Sequence, residues 1–231
     1  MRIFLAGAAG VIGRRLSPLL VADGHEVFGT TRSADRADQL RTQGVKPVLL
    51  DIFDADAVMR AVREAACEIV IHQLTDLPAV MAPERLPEIL ARNARIRDEG
   101  TRNLLAGARQ SGVGRVIAQS VAFAYAPGPQ PFREGDPLGV DREGPPGVSA
   151  RGVASLETQV LNGPWDGIVL RYGRLYGPGA PDEAPPPALH VDTAAEIARR
   201  AVTRGEAGLH NVAEDDGFAD SSKARAVFGA L

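Results

Sequence analysis

The chain opens on a short apolar run, RIFLA, that breaks into GAAGVIG at residues 7–13 and continues as VIGRRLSPLLVADG, with apolar residues at helical spacing up to Gly24. A strand, a glycine-rich turn and a helix in that order admit few folds, and here the order recurs. HEVFGTTR reads as a second strand, ADRADQLRTQG as a polar helix, KPVLLD as a third strand, DADAVMRAVREA as a helix and CEIVIHQL as a fourth strand. A helical stretch from about Pro83 to Gln110 leads into RVIAQS, the fifth strand. DGIVLRYG and GLHNVAE read as the sixth and seventh, each following a helix, SARGVASLETQVLNG and VDTAAEIARRAVTRG. Strands that are nearly continuous Val, Ile and Leu are buried on both faces, so helices must cover both sides of one parallel sheet.

The expected fold is therefore α/β: a Rossmann-like doubly wound sheet of about seven strands, in one domain over 1–231. Two stretches rich in proline and glycine, 121–148 and 173–191, read as loops. They follow the fifth and sixth strands at the carboxyl ends, where ligands bind in such sheets, and are expected to enclose a small substrate cleft.

A net charge of -3 and a pI near 5.8 provide no positive field to attract nucleic acid or an anionic membrane, and neither is expected as a partner. Cys67 is the single cysteine, which fits a reducing cytoplasm, and the four histidines are dispersed without metal-ligand spacing. No apolar run is long enough to read as a membrane span, and the glycines at the start disfavour a signal peptide.

The glycine spacing becomes specific through its context, directly after the first strand and at the start of the first helix. Gly7 permits the tight turn, Gly10 lets backbone approach a pyrophosphate, and Gly13 allows close helix-to-strand packing. Ala9, Val11 and Ile12 complete the loop whose free amides face the anion. The second strand ends in GTTRS and carries no acid to hold a ribose hydroxyl. Thr31, Arg32 and Ser33 instead suit a 2'-phosphate, with Arg14 and Arg36 as further cations, so NADP is expected ahead of NAD. Asp51 and Ile52 at the end of the third strand, and Gln73 and Leu74 at the end of the fourth, are the remaining candidate cofactor contacts. Asp51 is either an adenine acceptor or, like Asp54, a helix cap.

GAAGVIG, VLLDIFD, EGTRNLL, RVIAQS, LRYGRLYGPG and LHVDTAAEIA together resemble extended short-chain dehydrogenase/reductase proteins of the NAD-dependent epimerase/dehydratase type, over most of the chain. The resemblance implies a dinucleotide-binding domain, a C-terminal substrate portion, a Ser or Thr with a Tyr-Lys pair spaced YxxxK, and dimers formed through the helices beside the fifth strand. YxxxK is absent: Tyr125, Tyr172 and Tyr176 are followed four positions on by Pro129, Tyr176 and Ala180. Ser149 falls at the tyrosine position and Val153 at the lysine position. Lys46 and Lys223, the only lysines, are both remote in sequence. Ser120, Tyr125 and Tyr172 remain as candidate catalytic hydroxyls, while His72 and His190 read as structural. The stretch between Gly179 and His190 is short for a sugar-nucleotide site, so a small carbonyl or alcohol is expected as substrate. Two readings stand at this point: an atypical NADP-dependent oxidoreductase, and a non-catalytic NADP-binding sensor or assembly protein.

Overall fold

The computed structural model describes residues 1–77 and 82–230. Its strands are β1 (Arg2–Ala6), β2 (Glu26–Thr31), β3 (Lys46–Leu49), β4 (Ile69–His72), β5 (Arg115–Val121), β6 (Asp166–Tyr172), β7 (Arg174–Tyr176), β8 (Ala188–His190) and β9 (Gly208–Val212). The helices are α1 (Gly13–Ala22), α2 (Ala34–Thr42), α3 (Ala55–Ala65), α4 (Leu86–Arg95), α5 (Thr101–Gln110), α6 (Gly144–Leu161), α7 (Val191–Ala201) and α8 (Ser222–Phe228). Seven strands form one parallel sheet in the order β3-β2-β1-β4-β5-β6-β9. The chain reverses direction across the sheet between β1 and β4, so a crevice opens above their carboxyl ends.

Strand periodicity distributes the core. Ile3 and Leu5 of β1 face the layer of α1, α7 and α8, where they meet Leu16, Leu20, Ile197 and Phe228. Phe4 and Ala6 face the opposite layer and pack with Val58, Val62, Leu104 and Leu156 of α3, α5 and α6. No helix among the described residues is long and apolar enough to cross a membrane.

Several boundaries differ from the sequence expectation. β3 stops at Leu49, leaving Asp51 beyond its end. The segment 173–191 contributes the short parallel pair β7–β8, so it is not wholly irregular. α6 begins at Gly144, because Pro145 and Pro146 fall in the first turn, where a missing N–H has no helical acceptor to lose. Between α4 and α5 the helix continues through a π turn, Ile96–Gly100.

A buried polar network anchors the long segment after β5. Arg171 of β6 grips Glu157 of α6 in bidentate fashion, Nε to Oε1 at 2.8 Å and Nη2 to Oε2 at 2.6 Å, with side chains 3% and 6% exposed. Arg171 Nη1 also donates to the Tyr125 hydroxyl at 2.9 Å and to the Glu134 carbonyl at 3.1 Å. The Asn211 amide nitrogen donates to the Phe132 carbonyl at 3.1 Å. Removing one member of such a pair leaves a buried charge uncompensated. Glu157→Ala is expected to cost about 3–5 kcal/mol of folding stability, read as a lower urea midpoint at unchanged slope.

Candidate cofactor and substrate site

The glycine turn is shaped by close approach. Gly7 sits at φ +91, and a Cβ there would come within 2.6 Å of the Gln73 carbonyl oxygen. A Cβ on Gly13 would overlap the Gly7 carbonyl oxygen. The Gly7 amide donates to Thr30 Oγ1 at 2.9 Å, which ties the turn to β2. α1 begins without a side-chain cap or an acidic residue in its first turn, so its amides are left for an anion.

Around this turn a cavity brings together Gly7, Ala9, Gly10, Thr31, Arg32 and Ile52 with Gln73 and Leu74. Arg36, Leu50, Phe53, Thr75 and Ile96 also line it, and among the described residues no acidic one does. Val11, Ile12, Gly13, Ser33 and Asp51 do not face it. Ile12 is 3% exposed within the core, and Ser33 Oγ caps α2 by accepting from the Arg36 amide at 3.4 Å. Asp51 turns back to accept from the Phe53 amide at 3.0 Å, and Asp54 caps α3. Arg14 lies against Gly179, away from this cavity. Of GTTRS, Thr31 bonds to Ser33, while Arg32 remains 64% exposed with a 3.2 Å contact to Asp76.

The lining of this cavity suits a ligand: the Gly7 backbone is pressed against the Gln73 carbonyl, and Thr31, Arg32 and Arg36 present polar groups around it. Gln73 itself is 4% exposed, and its carboxamide lies against the buried Tyr172 hydroxyl. Together with the glycine cradle and the capless α1, these residues fit a dinucleotide.

The three hydroxyls expected to be catalytic are engaged elsewhere. Ser120, fully buried, donates to Glu157 Oε1 at 2.7 Å. Tyr125 donates to Asn211 Oδ1 at 2.6 Å and is stacked on Phe132, and burial raises its pKa despite the neighbouring Arg171. Tyr172 faces the other layer and donates to the Ala194 carbonyl at 3.2 Å, its pKa also raised by burial. The hydroxyl that does reach open space is that of Ser149. It lines a second cavity, of about 240 Å³, with Leu90, Phe123, Ala124, Arg142 and Arg174. Arg97 Nη1, from the π turn, donates to Ser149 Oγ at 3.2 Å, and burial pushes that guanidinium down to about 10. Sequence reading missed Arg97 because one cation on a helix rich in Arg resembles every other. Arg151 bonds the Val140 carbonyl at 2.8 Å.

His72 is 1% exposed, with Nε2 3.0 Å from Thr101 Oγ1 and Nδ1 accepting from the Leu74 amide at 3.2 Å. His190 Nδ1 caps α7, accepting from the Asp192 amide at 3.3 Å.

Comparison with known proteins gives three findings. Residues 3–201 match the NAD dependent epimerase/dehydratase family. A Streptomyces protein, "3-diazoavenalumate denitrifying reductase", is 45% identical over 181 residues, 78% of this chain but 58% of its own length. The chain therefore spans little more than half of that relative. Among solved structures, the Bordetella bronchiseptica enzyme WbmH in complex with NAD+ superposes with a TM-score of 0.76 over 100% of this chain and 92% of its own, at 18% identity. The Thermus thermophilus UDP-glucose 4-epimerase complex with NAD gives 0.75 over 97% and 81%, at 23% identity. At those identities the likeness concerns the fold.

Burial holds the His72 pKa down to about 4, with the Arg97 charge adding to the effect. Between pH 6.5 and 4 the unfolded chain binds this proton and the folded chain does not, so stability falls as pH drops through that window. The wild type is expected to lose about 2–4 kcal/mol more than His72→Gln across it, measured by urea unfolding at each pH.

Proposed function

The chain belongs to the NAD-dependent epimerase/dehydratase family, and we propose that it is an NADP-dependent oxidoreductase acting on a small carbonyl or alcohol. The Gly7 cradle, closed against the Gln73 carbonyl and opening onto the uncapped start of α1, carries the cofactor half of this reading. Arg32 and Arg36, in a cavity lining that lacks any carboxylate, support NADP over NAD, since a 2'-phosphate has guanidinium partners there and a ribose diol has no acid to receive it. NAD is the second choice, supported by the NAD complexes of the structural neighbours.

When bound, the reduced nicotinamide supplies a hydride, and the chain's residues provide the rest. Ser149, on α6 at the position the resemblance assigns to the family's tyrosine, offers its hydroxyl to the substrate oxygen. Arg97 donates to Ser149 Oγ and orients its proton toward the cavity. A serine so held stabilises developing negative charge on the substrate oxygen by hydrogen bonding, and water delivers the proton. General acid-base help contributes roughly 10²- to 10⁴-fold in enzymes that have it, so turnover here is expected to be slow. The reductase name of the Streptomyces relative supports the reaction class, and the cavity of about 240 Å³ supports a substrate smaller than a sugar nucleotide.

Fluorescence titration of the full chain is expected to show saturable NADPH binding, with NADH weaker. Arg32→Ala with Arg36→Ala should weaken NADPH by about tenfold or more and leave NADH nearly unchanged. No saturable response to either nucleotide would overturn the reading.

A further inference from the structure

Many arginines of this protein sit against carboxylates: Arg199 bonds Asp23 and Glu196, Arg200 bonds Glu196, and Arg92 bonds Asp76. The second cavity gathers three that do not. Arg142 and Arg174 line it, and Arg97 stands directly behind its Ser149. Among the described residues none of the three forms an ion pair, and no acidic residue lines the cavity.

Arg97 and Arg174 are not simply solvated surface cations. Arg174 lies with its guanidinium 4.5 Å from the centre of the Phe123 ring, and its Nη1 donates to the Pro186 carbonyl, which leaves other donors free. Burial depresses its pKa, with Asp216 opposing from a distance. Arg97 is desolvated more strongly still, with the Glu157 charge opposing. Arg142 is exposed at the rim, just before α6, so an anion entering from solvent meets it on the way in. A partly desolvated cation that no carboxylate contacts directly is costly, and an anion delivered by a ligand would offset that cost. The rest of the lining is apolar: Leu90, Phe123, Ala124, Pro146 and Ala150.

We propose that this cavity selects a small, largely apolar or aromatic carboxylate, with the acid group taken by Arg142 and Arg174 and the apolar body laid against Leu90 and Phe123. Arg174 and Arg142 are then specificity residues, and Arg97 acts through Ser149 as a positioning residue. Placing the substrate here rests on the oxidoreductase reading, but binding of a carboxylate can be measured without turnover.

trans-Cinnamate and cinnamamide serve as probes, because they share size and ring and differ in charge. Calorimetric titration of the full chain is expected to show cinnamate binding at least about tenfold tighter than the amide, with the preference shrinking as salt is raised. Arg142→Gln removes an exposed side chain without disturbing the core. It should weaken cinnamate by about tenfold and leave cinnamamide unchanged, and Arg174→Gln should act in the same direction. Equal binding of the two probes, or binding of neither by a chain that still takes up NADPH, overturns the proposal. A chain that prefers cinnamate but does not bind NADPH upholds the carboxylate site and removes the oxidoreductase reading instead.

Discussion

The bidentate contact between Arg171 and Glu157 is the polar centre on which several separate parts of the molecule converge. It joins β6 to α6 beneath the carboxyl end of the sheet. Through Tyr125, Glu134 and Asn211 it also fastens the proline-rich segment after β5 and the edge strand β9. That segment contributes Phe123, Ala124 and Arg142 to the second cavity, and little regular structure stiffens it before α6. A buried ion pair is a poor source of net stability compared with an apolar replacement, but it is intolerant of misalignment. Its contribution here is to fix where the cavity wall stands.

Much of the fold could be read from the chain because parallel strands buried on both faces leave an unmistakable apolar signature. The RIFLA and CEIVIHQL runs became β1 and β4, and GAAGVIG took its place between them with Gly7 at positive φ. Boundaries were less legible. Asp51 and Asp54 are equivalent as sequence, and only the short β3 decides that Asp54 caps α3. The π turn escaped periodicity because Ile89 and Ile96 keep an apolar spacing that an unbroken helix would also show.

The candidate site was legible only on the side where backbone does the binding. A pyrophosphate cradle depends on glycine positions, which sequence records directly. Side-chain chemistry depends on who else is near: Ser120 and Tyr125 read as reactive hydroxyls, but both donate their hydrogen bonds inward, to Glu157 and Asn211. Conversely, Arg97 and Arg174 stand in a chain with 26 basic residues, and nothing in their local sequence separates a desolvated guanidinium from a solvated one. Because arginine keeps its charge over the working pH range, a chain with so few lysines builds its polar sites from fixed cations and gives up the tunable ammonium of the Tyr-Lys arrangement.

The π turn at Ile96–Gly100 is what a helix looks like after it has absorbed an extra residue without moving either end. Ile96 lines the first cavity, and the next residue, Arg97, stands behind Ser149 of the second. One backbone irregularity thus sets a residue at each cavity, so the spacing between the two is fixed by the geometry of a single helical turn.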